Sequence, residues 1–195
     1  MDQFLIYLNM GFEHIADLNA YDHILFILAL CAIYRAEHWK KMLVLITAFT
    51  IGHSLTLALS ALEIFVVPSN IVEFLIPVTI FLTCIYNIFE DTDKIKEKKM
   101  NFNYFLALFF GLIHGLGFSN YFKMIFSETG DIIFPLFSFN LGLEIGQILI
   151  VGIIFSFMAI TIRIFKYRFR DWVLFISGIA AGMSIILMKE TAFWV

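Results

Sequence analysis

His14, His23, His53 and His114 lie in or beside stretches apolar enough to cross a membrane, and Asp22, Glu73 and Glu144 share those stretches. An ionisable group in hydrocarbon is costly and persists where it pairs, lines a wet path or holds an ion. Taken singly, each histidine could simply donate a hydrogen bond to a neighbouring helix. Taken as a set with carboxylates, they point to a shared metal site. Neutral imidazole with carboxylate suits nickel, zinc, copper, iron or manganese. The two cysteines, Cys31 and Cys84, sit inside apolar runs and read as buried small hydrophobes rather than soft-metal ligands. His38, beside Arg35, Glu37 and Lys40, reads as an ordinary solvated residue.

Such ligands need elements to carry them, and the composition says what those are. With 61% hydrophobic and 15% charged residues, the 195-residue chain falls outside the balance of a soluble domain. Its mean hydropathy of +0.90 agrees. Nucleic acid is not expected as a partner; membrane lipid is. Met1-Asp2-Gln3 has no basic start and no small-residue cleavage pattern follows, so no removable signal peptide is expected. A span needs about 20 apolar residues, and six candidates meet or approach that length: Leu18 to Tyr34, Met42 to Leu62, Pro68 to Phe89, Phe102 to Phe122, Pro135 to Ile162 and Trp172 to Met188. The opening segment, Phe4 to Phe12, is too short to cross and reads as interfacial or re-entrant, ending at Gly11 and the polar run Glu13 to Asp17. The expected fold is therefore all-α, one polytopic membrane bundle of six helices over residues 1–195, with no convincing internal repeat.

Basic residues set the orientation. Arg35, Lys40 and Lys41 follow the first span, Lys94, Lys96, Lys98 and Lys99 follow the third, and Arg163, Lys166, Arg168 and Arg170 follow the fifth. Only Lys123 and Lys189 remain for the other side. By the positive-inside rule both termini, with the loops around Val67 and Gly130, face away from the cytoplasm. Helix rise then places Asp22, His23, His53, His114, Glu73 and Glu144 in the outer half of the bilayer. Gly111-Leu-Ile-His114-Gly115 and Gly142-Leu-Glu144-Ile-Gly146 set candidate ligands inside small-xxx-small patterns that let helices approach closely. Gly178-Ile-Ala-Ala-Gly182 has the same pattern without a ligand, so packing alone accounts for such glycines. Glu73, Ser54, Asn140 and Gln147, with Thr50 and Asn87, could orient ligands or bridge helices.

Gly11-Phe-Glu-His14 with Asp22-His23-Ile-Leu-Phe26, Ile46 to Ala58 around Gly52-His53-Ser54, Phe110 to Phe118 around His114-Gly115, and Phe139-Asn-Leu-Gly-Leu-Glu144-Ile-Gly-Gln147 together resemble the HupE/UreJ family of small bacterial membrane proteins associated with nickel supply to hydrogenase and urease. The resemblance covers nearly the whole chain. His14, Asp22 and His23 match the family's first-helix His, spacer, Asp-His pattern with a spacer of seven residues. The family's later histidine-rich helix is matched less fully: His114-Gly115 fits its second His-Gly pair, Gly111 stands near the place of the first histidine, and Gly117-Phe118 offers no acid. The resemblance implies metal handling, in the bacterial inner membrane, more firmly than it implies nickel.

Two function classes follow. One is a permease moving a divalent transition metal such as nickel, zinc, cobalt or copper inward, with His14, Asp22 and His23 as entry ligands and His53, His114 and Glu144 as the inner set. The other is a membrane-embedded zinc hydrolase in which three histidines hold the metal and Asp22 or Glu144 is the general base. A carrier needs a polar route continuing toward the cytoplasm, for which the inner halves offer only Thr47, Thr50, Thr83, Asn87, Asn101 and Asn103. The 24 phenylalanines suit a lipid-facing surface and would equally suit a contact between subunits of a homo-oligomer.

Overall fold

The structure is a computed structural model that describes residues 3–90, 97–126 and 132–194, with side chains throughout except at 97–100 and 125–126. Among the described residues it is all-helical: α1 (Gln3–Ala16), α2 (Asp22–Cys31), a 3-10 turn (Ala36–His38), α3 (Trp39–Ala61), α4 (Ser69–Phe89), α5 (Glu97–Phe126), α6 (Ile133–Phe165) and α7 (Phe169–Glu190). Five helices, α3 to α7, are long and apolar enough to cross a membrane. Of the charged run after α4, residues 91–96 lie outside the described residues, as does the loop around Gly130.

Close pairing of helices, rather than a hydrophobic driving force against lipid, has to hold such a bundle together. The main pairs are α3 with α5, α1 with α6 and α4 with α7. Glycine makes two of them possible. A Cβ at Gly111 would lie 2.9 Å from the Phe49 carbonyl carbon, and one at Gly52 would lie 2.9 Å from the Leu112 amide nitrogen. The partner numbers rise together, so α3 and α5 run parallel. Lys123 and Glu63 close their shared end with an ion pair of 2.5 Å, and the lysine holds the Glu63 carboxyl below its ordinary range. Gly178 and Gly182, in contrast, meet nothing within 4 Å, so packing inside the chain does not account for them.

At the start of the chain α1, expected as an interfacial or re-entrant segment, packs along α6: Phe4 meets Phe134, Gly11 meets the backbone of Phe139 and Leu143, and Gly146 meets Ile15. It therefore runs parallel to α6 and deep against it. α2 then continues in the same sense, from His23 beside His114 to Tyr34, whose hydroxyl accepts from Asn103 near the start of α5. At about 1.5 Å per residue, α1 and α2 are each shorter than a hydrocarbon core of about 30 Å. The break between them has a local cause. Asp17 accepts from the Asn19 amide at 2.8 Å, a side-chain turn that competes with helix.

Basic side chains gather at one end of the bundle. Arg170 donates to the carbonyls of Asn87 (3.3 Å), Ile88 and Glu90 (2.9 Å), satisfying the open carbonyls where α4 stops. Arg35 stacks its guanidinium 4.5 Å over Phe169 at the same end. The opposite end carries the Glu63–Lys123 pair, and there Phe74 meets Trp194 beyond the end of α7.

Candidate metal centre

Three helices deliver one imidazole each to a common point. His14 comes from the last turn of α1, His23 from the first turn of α2 and His53 from the middle of α3. One ring nitrogen of each lies within 4.8 Å of the others. Ring centroids are 4.6 Å apart for His14 and His23, 5.6 Å for His14 and His53, and 6.3 Å for His23 and His53. The interruption after α1 is what makes this possible. It lets two consecutive short helices, instead of one continuous one, present a terminal residue each to the same spot.

Burial without partners marks these rings as unusual. His53 is 0% exposed and His23 5%. His14 Nε2, His23 Nε2 and both nitrogens of His53 are buried with no hydrogen-bond partner. Leaving such a group unpaired costs about 1–3 kcal/mol, so three converging imidazoles that each keep an unpartnered nitrogen fit a site built for a cation. Tetrahedral zinc with bonds of about 2.0–2.1 Å would set its nitrogens about 3.3 Å apart. A spread of up to 4.8 Å is looser than that.

Asp22 and His114 adjoin the three rings. Asp22 Oδ1 accepts from His23 Nδ1 at 3.2 Å, which leaves His23 Nε2 with a lone pair and no hydrogen-bond partner. His114 is 0% exposed, its ring 5.3 Å from that of His23. Thr79 donates its hydroxyl hydrogen to the Ile76 carbonyl at 2.7 Å, so its oxygen accepts from His114 Nε2 at 3.2 Å. His114 Nδ1 is then a free lone pair. Gly115 permits the approach: a Cβ there would lie 2.9 Å from the His53 Cα. Aromatic rings wall the group, with Phe118 centred 4.0 Å from His14, Phe26 5.0 Å and Phe49 5.2 Å from His114, and Phe139 stacked on His53. On the side away from the basic end, a cleft of about 680 Å³ leads to His14 between Glu13, Asp17, Asn19, Phe118 and Tyr121.

The remaining residues singled out from the sequence have other partners or surroundings. Glu144 accepts from Thr47 at 2.6 Å, and Gln147 accepts from Thr50 at 2.9 Å, both across the contact between α3 and α6. Ser54 donates to the Thr50 carbonyl, and Asn140 Oδ1 is buried without a partner. Glu73 is exposed and lines a smaller cleft with Asn19, Asp22 and Pro77. Thr79 was not among the sequence candidates. Its signal was available in the i, i+4 spacing of Thr79, Thr83 and Asn87, which places three polar side chains on one face of α4.

No curated protein and no solved structure matches the chain. A family model described as HupE / UreJ protein matches residues 1–195. With the histidine group, the membrane-type helices and the full-length match in hand, the chain belongs to the HupE/UreJ family, a family of nickel and cobalt transporter type.

Proposed function

We propose that the protein carries a divalent transition metal ion, nickel or cobalt foremost, inward across the bacterial cytoplasmic membrane as one integral membrane domain over residues 1–195. The observation that carries this reading is the convergence of His14, His23 and His53 with their unpaired nitrogens. His14, His23 and His53 bind the ion, Asp22 holds His23 in the binding tautomer, and His114 is the next station. Glu144, hydrogen-bonded to Thr47, acts from the α3–α6 contact, with Ser54, Asn140 and Gln147 around it and Glu73 at the rim. A carrier must also let go of its ion, and the loose nitrogen spacing suits that need. Entry is through the cleft that ends at His14, whose Glu13 and Asp17 attract cations. Metal carriage rather than hydrolysis is the chemistry of this site.

The chain crosses six times. α1 and α2 together make one crossing and α3 to α7 the other five, which puts the basic end in the cytoplasm and both termini outside. The test is uptake of nickel or cobalt into proteoliposomes, beside elemental analysis of the purified protein. Uptake that vanishes in His53→Ala supports the proposal. Stoichiometric, tightly held zinc with no flux would overturn it.

A further inference from the structure

Between α2, α4 and α5 a groove of about 370 Å³ opens on the surface of the bundle beside the exposed side chains of Leu82, Phe102 and Phe109. Both α4 and α5 are helices long and apolar enough to cross a membrane, so the mouth of the groove faces lipid. Its few polar groups are engaged with the protein. Thr83 donates to the Thr79 carbonyl at 2.8 Å, Asn87 to the Ala29 carbonyl at 2.7 Å and Asn103 to the Tyr34 hydroxyl at 2.7 Å. The rest of the lining is hydrocarbon, including Leu30, Ile33, Leu106 and Phe110. Ala107, 1% exposed, is the smallest lining residue and leaves the groove its depth.

The two ends of the groove differ. It follows α5 from Phe102 to Phe110, about 12 Å at 1.5 Å per residue. At the far end Phe110 closes it against Phe26, the ring centroids 6.0 Å apart. At the near end stand Tyr34, Asn87 and Asn103, whose Oδ1 is buried without a partner. Tyr34 precedes Arg35, and Arg170 donates to the Asn87 carbonyl at 3.3 Å. The polar end of the groove therefore coincides with the basic end of the bundle, where exposed Arg35 and Lys40 also stand.

We infer that this groove holds one acyl chain of an anionic phospholipid, its phosphate at the basic end. The inference needs only the membrane placement of α4 and α5 and the basic end, and is independent of whether an ion moves. Lipid tails are as apolar as leucine, so apolarity alone retains no particular lipid. Retention requires close packing, which walls from three helices supply, and a charge partner for the headgroup. Lysine and arginine near the membrane surface attract anionic lipid, and Arg35, Lys40 and Arg170 meet that need.

The test is native mass spectrometry of the full chain in detergent, supplied with phosphatidylglycerol or phosphatidylcholine of equal chain length. One phosphatidylglycerol per chain is expected to survive activation that strips other lipids, at least fivefold more abundant than phosphatidylcholine. Ala107→Leu and Ala107→Phe fill the groove in two steps and should lower retention stepwise, at least fivefold for the larger side chain, in proteins that still melt cooperatively. Should Ala107→Phe not fold, Ala107→Leu carries the test. Gly152→Ala, which adds a methyl group where nothing lies within 4 Å, should leave retention unchanged. Arg35→Gln with Lys40→Gln should reduce the preference for phosphatidylglycerol at least twofold. Equal retention of the two lipids, retention unaffected by both Ala107 substitutions, or a dimer that keeps no lipid would overturn the inference.

Discussion

Adding a single methyl group at Gly142 should disable metal binding from a distance. A Cβ there would stand 2.8 Å from the Leu8 carbonyl carbon and 3.0 Å from the Phe12 amide nitrogen, and closer still to the Leu8 carbonyl oxygen. Ordinary contact begins at 3.4 Å, so α1 must move off α6 by at least 0.6 Å, the gap between 2.8 and 3.4 Å. Backbone cannot yield as a side-chain tip can. His14 sits on the next turns of α1 and moves with it, which widens a nitrogen spacing that is already up to 4.8 Å. Gly142→Ala should therefore cost about 1–3 kcal/mol of stability through overpacking and lower metal affinity by at least an order of magnitude. Gly152→Ala is the matched control, because a Cβ there meets nothing within 4 Å. It should be neutral or slightly stabilising, by up to about 1 kcal/mol from helix propensity. The assay is competition for nickel against a chromophoric chelator in detergent, with thermal melting by circular dichroism. Wild-type affinity in a folded Gly142→Ala protein would refute the reasoning, since α1 would then not position His14.

Asp22→Asn removes the charged acceptor that fixes the His23 tautomer and should weaken nickel binding about 10–100-fold; an unchanged dissociation constant by calorimetry would remove Asp22 from the site. Glu144→Gln should impair uptake more than Glu73→Gln, because Glu144 is half-buried and holds Thr47 whereas Glu73 is exposed; the reverse order in a flux assay would move the functional acid to the rim. Arg170→Ala strips three carbonyls at the end of α4 of their charged donor and should lower stability by about 1–3 kcal/mol without altering metal stoichiometry, as thermal melting and elemental analysis would read.

Much of the site was legible because hydrocarbon makes polar residues conspicuous. His14, Asp22, His23, His53 and His114 stood out by burial cost alone, and the structure sets them side by side. The small-xxx-small reading also succeeded at Gly111, Gly115 and Gly142, where a neighbouring backbone occupies the place of the missing side chain, and at Gly146, where the Ile15 side chain does. It failed at Gly178 and Gly182, since the pattern states that approach is permitted and not that a neighbour is there. The five long helices followed from their length and apolarity, with ends extended by up to a few residues. The packing at the start of the chain did not. Hydropathy sees α1 as too short and cannot report that it runs beside α6, because that contact depends on Gly11 meeting Phe139 far along the chain. Rotation about a helix axis is not readable from sequence, so Glu144, expected at the depth of the histidines, turns toward Thr47 instead. Thr79 was overlooked although its i, i+4 spacing to Thr83 and Asn87 was readable, because spacing along one helix does not say that the shared face meets His114.

The central claim, that His14, His23 and His53 bind one cation together, is tested most directly by X-ray absorption on nickel-loaded protein with the metal quantified per chain. The expected result is one nickel per chain with about three imidazole nitrogens in its coordination shell, falling to two in His53→Ala. A shell of oxygen donors only, or no retained metal in a folded protein, would contradict it.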